Sequence, residues 1–190
     1  MKKIFILQGN PDPETLCCNF ADVYQEEATK AGHEVRRMNL IDMKFDPLLH
    51  KGYKVIQALE PDLAAFQENL QWADHFVIVY PIWWHGMPSL LKALFERAWL
   101  PRFAFHFWLN GWGWDKLLKE KTARIITLSR TRPWLLYFMF GNYTNDLASA
   151  ILGFAGFKVR QTHIGQTEKI FPERVERWNK RIKNLAIAGK

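Results

Sequence analysis

The chain has 190 residues and a formal net charge of +7, with 48% apolar and 24% charged residues. That size suits one domain, 1–190, with a substantial core, and the composition excludes the polar, highly charged profile of a disordered chain. No run of about 18 apolar residues is present to form a membrane span, and the basic residues fall in small separate clusters rather than on the single face that nucleic-acid binding requires.

The opening MKKIFILQG passes directly into a polar Asn-Pro-Asp loop with no small-residue cleavage site, so a cytoplasmic protein without a membrane partner is expected. Its only cysteines, Cys17 and Cys18, are adjacent and poorly placed for an ordinary disulfide; they are expected to be reduced thiols. No Cys/His spacing suggests zinc, and no metal is expected.

In chain order, Lys2–Gly9 is an apolar run suited to a strand buried on both faces. The loop NPDPETL leads to a helix over Cys17–Ala31, stopped by Gly32, and His33–Leu40 reads as a second strand. Asp42–Glu60 is irregular. Pro61 opens a helix through PDLAAFQENLQWA, and Asp74–Tyr80 is the clearest strand. A helix over Pro88–Leu100 precedes an irregular aromatic segment, 101–114. Then come a strand at Thr122–Ser129, a helix at Thr144–Ala155, a strand at Lys158–Gly165 and a closing helix at Pro172–Ile187. Strands alternating with helices predict a three-layer α/β/α domain around a five-stranded parallel sheet.

Such sheets bind ligands beyond the carboxyl ends of their strands, here Gly9–Cys17, Pro81–Gly86 and Thr127–Pro133. In the first loop, Thr15 stands where a helix begins and a phosphate could bind, although a plain helix cap explains it as well. Neither GxxxxGK[ST] nor GxGxxG is present. In the second loop, PIWWHGMP, Trp83 and Trp84 offer broad faces for a flat ligand or for core packing, and Gly86 permits a turn. His85 reads either as a hydrogen-bond donor to a bound ring or as a surface turn residue. In the third loop, TLSRTRPW, Arg130 and Arg132 could meet nucleotide phosphates or simply face solvent.

Taken together, FDP at 45–47, PDL at 61–63, WADH at 72–75, YPIWWHGMPSLLKALFERAWLPRFAF at 80–105 and LGFAGFKV at 152–159 resemble the flavodoxin-like NAD(P)H:quinone oxidoreductase family, the DT-diaphorase relatives. The resemblance covers nearly the whole chain and implies a flavodoxin-like fold. The family's G-H-P-x-x-x-S-F loop is matched by GNPDPETL, which puts Asn10 at the histidine position, Thr15 at the serine and Leu16 at the phenylalanine. Cys17 follows at a position facing the flavin phosphates, and Gln67 matches a helix glutamine near the far end of the cofactor. The P-L-x-W-x-G-x-P element appears as PIWWHGMP, so Pro81, Ile82, Trp83, Trp84 and His85 are implied to line the isoalloxazine. The T-T-G-G loop is replaced by Thr127, Leu128, Ser129 and Arg130, without its glycines, as in a branch with T-M-D-T-P-P-W-Y-Y. Tyr137, and Tyr143 in place of a histidine, are the implied catalytic residues, stabilising charge on the reduced ring.

The resemblance implies a flavoprotein that takes hydride from NAD(P)H at flavin N5 and passes two electrons to a quinone-like acceptor. It leans towards FAD and leaves FMN open. It also implies a homodimer with the flavin at the subunit interface, which the aromatic excess in 99–114 suits, although a second small core under that segment would explain the same residues. Phe103 and Phe105 are possible further stacking walls. Two other functions stay open: a flavin-binding electron carrier without quinone turnover, and a cofactor-free interaction partner.

Overall fold

The computed structural model describes residues 1–109 and 111–190. Its first strand, β1 (Lys3–Gln8), is buried almost throughout, because alternate side chains enter two different cores. Phe5 and Leu7 face one core; Ile4 and Ile6 face the other. Helix α1 (Leu16–Lys30) packs on the second face through Cys17, Phe20, Ala21, Tyr24 and Ala28, the three- and four-residue spacing of one helical stripe. Strand β2 (Glu34–Asn39) then pairs parallel to β1 at the sheet edge.

Helix α2 (Pro61–Trp72) starts on proline and buries Leu63, Phe66 and Leu70 against the first core. Strand β3 (His75–Pro81) pairs on the other side of β1, and α3 (Ser89–Ala98) returns over the same face as α2. Two short strands, β4 (Phe105–Phe107) and β5 (Trp114–Lys116), form a separate antiparallel hairpin. Strand β6 (Thr122–Leu128), helix α4 (Pro133–Phe140), strand β7 (Lys158–Ile164) and helix α5 (Pro172–Ile187) complete the chain. The parallel sheet runs β2-β1-β3-β6-β7, with helices on both faces, as the alternation of elements predicts. The chain leaves β1 first towards β2 and later returns to β3 on its opposite side. This reversal opens a crevice at the strand ends.

Two predicted segments differ in detail, and one helix was not expected. The 101–114 segment is not uniformly irregular, since it contains β4 and reaches the start of β5; Asn110 within it lies outside the described residues. Trp114 stacks on Phe154 at 4.3 Å and 12°, an anchor from distant sequence that local periodicity does not reveal. Helix α4 was not predicted because PWLLYFMF is apolar on every side and buries none of its residues, so it has no amphipathic period. Within Thr144–Ala155, Asp146–Gly153 is wound as a π-helix rather than a regular α-helix.

Candidate cofactor site

At the carboxyl ends of β1, β3 and β6, a cleft of about 330 Å³ is lined by ten predicted residues: Asn10, Thr15, Leu16, Cys17, Pro81, Ile82, Trp83, Leu128, Ser129 and Arg130. They come from all three predicted loops. Asn10 Nδ2 donates to Thr15 Oγ1 at 3.0 Å, while Asn10 Oδ1 accepts from the Asp12 amide at 3.1 Å. Thr15 Oγ1 donates to the Asp12 carbonyl at 3.2 Å. Thr15 occupies the helix-cap position, but its side chain makes no capping bond. The free amides in the first turn of α1 therefore face a polar corner suited to phosphate. Behind it, burial pushes the Cys17 thiol up to about 12, opposed by hydrogen bonding to Asn10 and Thr15, so Cys17 packs as a neutral thiol.

The second wall is a tight turn. Trp83 N–H donates to Gly86 O at 2.9 Å, and Gly86 N–H donates to Trp83 O at 3.0 Å. Between them Trp84 and His85 have φ of 47° and 66°, so the left-handed conformations fall on two bulky residues rather than on Gly86. Type I′ turns of this form ordinarily use Asn-Gly. Strain at such positions is commonly kept where a ligand site needs it. Closing the turn uses the Trp83 and Gly86 amides; those of Trp84 and His85 have no backbone partner among the described residues. Trp84 is fully exposed and Trp83 about half exposed.

Beneath the turn, the His85 ring meets Phe140 at 5.2 Å and Tyr143 at 5.9 Å, and its Nδ1 is buried without a partner. Tyr143 is buried and lies edge-on to His163 at 5.1 Å. His163 Nδ1 is 2.7 Å from Thr127 Oγ1, and its Nε2 is 3.1 Å from Gln161 Oε1. Desolvation lowers the His163 pKa and keeps its imidazole neutral; it raises that of Tyr143, against a hydrogen bond with Thr127. Thr127 and Tyr143 thus belong to a polar cluster under the turn.

Other predicted residues lie elsewhere. Gln67 Nε2 donates to the Ala98 carbonyl at 2.7 Å and holds the end of α3, outside the cleft. Tyr137 is exposed on α4, apart from the buried Tyr143. Phe103 packs edge-on to Trp99, while Phe105 faces a separate apolar cavity of about 440 Å³ with Trp99 and Phe154. Within one chain, neither lines the cofactor cleft. Arg130 forms an exposed ion pair with Glu168 at 3.1 Å, which occupies the guanidinium expected to meet nucleotide phosphates.

Sequence reasoning missed Gln161, His163, Thr167 and Glu168. The first two share one face of β7 by their two-residue spacing, a signal available in KVRQTHIG. Thr167 reaches the site through its amide and hydroxyl, both bound to the Ser129 carbonyl at 3.2 and 3.1 Å. Gly165 permits this close approach: a Cβ there would lie 2.5 Å from Pro133 Cδ and 2.6 Å from Thr131 O. Gly165→Ala is therefore expected to destabilise the protein by about 1–3 kcal/mol and to displace the third loop. Urea unfolding, with flavin retention measured in parallel, checks both effects.

The family model Flavodoxin_2, described as a flavodoxin-like fold, matches residues 2–184, and the chain belongs to that family. It is 26% identical over 191 residues to NAD(P)H dehydrogenase [quinone] 1 of Rattus norvegicus, covering 84% of this chain and 69% of that protein. It is 24% identical over 218 residues to ribosyldihydronicotinamide dehydrogenase [quinone] of the same organism, covering 97% and 92%. Among solved structures, Smu.1420 from Streptococcus mutans UA159 superimposes with a TM-score of 0.80 at 27% identity, covering 98% of this chain and 99% of that one. The expected resemblance to flavodoxin-like quinone oxidoreductases is met by these matches.

Proposed function

We propose that the protein is a flavin-dependent NAD(P)H oxidoreductase of the quinone-reductase type. The observation that carries this reading is the convergence of three features on one cleft: the Asn10–Thr15 corner at the start of α1, the strained Trp83–Gly86 turn, and the Leu128–Arg130 loop. Each suits a different part of a flavin. The free α1 amides hold the phosphate, and Thr15 shapes that corner through its bonds to Asn10 and the Asp12 carbonyl. Pro81, Ile82 and Trp83 supply the flat apolar wall, and the Trp84 and His85 amides are available to the polar edge of the ring.

A flavin held by these loops would supply the redox chemistry, taking hydride equivalents at N5 from NAD(P)H and returning two electrons to a quinone-like acceptor. The chain's own part is orientation and control of charge. Tyr143, held as a neutral phenol beside Thr127 and His163, can donate a hydrogen bond towards developing negative charge; Tyr137 is the exposed second candidate. FAD is the resident flavin in this reading, on the likeness to the quinone dehydrogenases. FMN is the alternative flavin for the same cleft.

The working unit in this reading is a homodimer. Trp108 of the hairpin region, and Trp134 and Phe138 of α4, are exposed aromatic side chains suited to a second copy. That contact would bring the hairpin's aromatics to the cleft they do not reach within one chain.

The test is the absorbance spectrum of protein purified without added cofactor, followed by anaerobic NAD(P)H and then a quinone. A bound flavin that bleaches with NAD(P)H and recovers with quinone is expected, with the mass of the released cofactor reporting FAD or FMN. Failure to retain or take up either flavin overturns the proposal. Light scattering of the loaded protein tests the dimer, which a fully loaded monomer would contradict.

A further inference from the structure

A third cavity, of about 300 Å³, lies at the opposite end of the sheet from the cofactor cleft, where β1, β3, β6 and β7 begin. Lys2, Arg124, Lys158, Arg160 and Lys190 contribute five basic side chains to its wall, and His75 completes the set of titratable groups. Among the described residues, no aspartate or glutamate lines it. Arg124 and Arg160 are directly opposite in the β6–β7 register, a like-charge pair that opposes strand pairing. Arg181 on α5 adds further positive potential, since Arg160 and Arg181 both lower the Arg124 pKa after desolvation.

Two residues of this wall carry buried nitrogens without hydrogen-bond partners. Arg124 is 7% exposed; its Nη1 donates to Thr162 Oγ1 at 3.3 Å, but its Nε–H has no acceptor. His75 is 2% exposed; its Nδ1 is 2.7 Å from Thr122 Oγ1, while Nε2 is unpaired. The Thr122 hydroxyl donates to the Asp74 carbonyl at 3.4 Å, so it accepts from His75 Nδ1–H and leaves Nε2 as an acceptor; His75 serves here as a reporter of the cavity rather than as a ligand. Around them, Lys2 Nζ donates to the Gly189 carbonyl at 2.8 Å and Tyr24 Oη donates to the Lys190 carbonyl at 3.2 Å, holding the chain beyond α5 over the cavity. A buried guanidinium with an unmet donor and cationic neighbours is unfavourable by itself. An oxyanion would offset those costs, accepting from the basic side chains that line the cavity and screening the like-charged Arg124–Arg160 pair.

We propose that this cavity is a binding site for a phosphate group, either inorganic phosphate or the terminal phosphate of a small metabolite. The site is separate from the cofactor cleft and independent of the flavin assignment. Binding ties the amino ends of β3, β6 and β7 to the segment after α5, so it stabilises the folded chain by mass action.

The test uses phosphate-free protein at constant ionic strength in chloride, titrated with inorganic phosphate by calorimetry while His75 is followed by imidazole NMR. Saturable binding with one equivalent shifting the His75 resonances is expected, and Arg124→Gln should weaken it about tenfold or more. Arg160→Gln, at an exposed position, is the second variant should loss of Arg124 impair folding, and a weakening there carries the same meaning. Arg130→Gln reports any competing phosphate at the cofactor cleft and should leave the His75 shifts intact. A parallel titration with AMP separates the sources: tighter binding assigns a phosphomonoester, equal or weaker binding assigns free phosphate. Absence of saturable binding below about 10 mM, or binding that neither Arg124→Gln nor Arg160→Gln weakens, overturns the proposal.

Discussion

Replacing Arg97 with leucine is expected to lower stability by about 2–3 kcal/mol, because it removes the buried guanidinium of an ion pair whose carboxylate is partly exposed, together with its bonds to two main-chain carbonyls. Arg97 is 1% exposed and lies on α3, facing the long segment between β2 and α2. Its Nη2 donates to Glu60 Oε2 at 2.9 Å and to the Ala58 carbonyl at 3.0 Å; its Nη1 donates to Glu60 Oε1 at 3.2 Å and to the Asp46 carbonyl. Glu60 Oε1 in turn accepts the Asp46 amide at 3.0 Å, so one guanidinium organises both ends of residues 46–60. Leucine supplies none of these donors. Urea unfolding measures the loss, and limited proteolysis should show new cleavage within 46–60. The double variant Arg97→Leu/Glu60→Leu should recover part of the stability, since it also removes the stranded carboxylate. A loss below about 1 kcal/mol with unchanged proteolysis would show that other contacts hold this segment.

Replacing Trp84-His85 with Asn-Gly is expected to move stability and cofactor affinity in opposite directions. The turn closes through two backbone bonds of 2.9 and 3.0 Å, and both central residues have positive φ. Asn-Gly meets that backbone demand at low steric cost, so a gain of about 1–2 kcal/mol is expected in the cofactor-free protein. The same change removes the exposed Trp84 surface and the ring that packs between Phe140 and Tyr143. Flavin affinity should therefore fall by about tenfold to a hundredfold. Thermal unfolding without flavin and a fluorescence titration with flavin measure the two effects separately. Higher affinity in the variant would remove the assigned ligand role from these side chains, and lower stability without flavin would show that ring packing outweighs backbone strain.

The alternation of strands and helices is legible in the local pattern of the chain. Its apolar runs have the right length for buried parallel strands, and Pro61, Pro172 and the glycines punctuate them locally. The same pattern also located the three site loops, because a parallel sheet brings its strand ends to one edge and the PIWWHGMP motif lies at such an end. How these loops use their residues depends instead on packing between remote segments. Thr15 stands at a helix start, but its hydroxyl is drawn into the Asn10–Asp12 network; Gln67 has a suitable amide, but it is engaged by Ala98. Arg130 has its partner 38 residues further on, in Glu168. The His75–Arg124 cavity was hidden for the same reason. Hydrophobic periodicity reports which face a residue occupies, whereas hydrogen bonding and charge pairing depend on distances set when remote segments pack together.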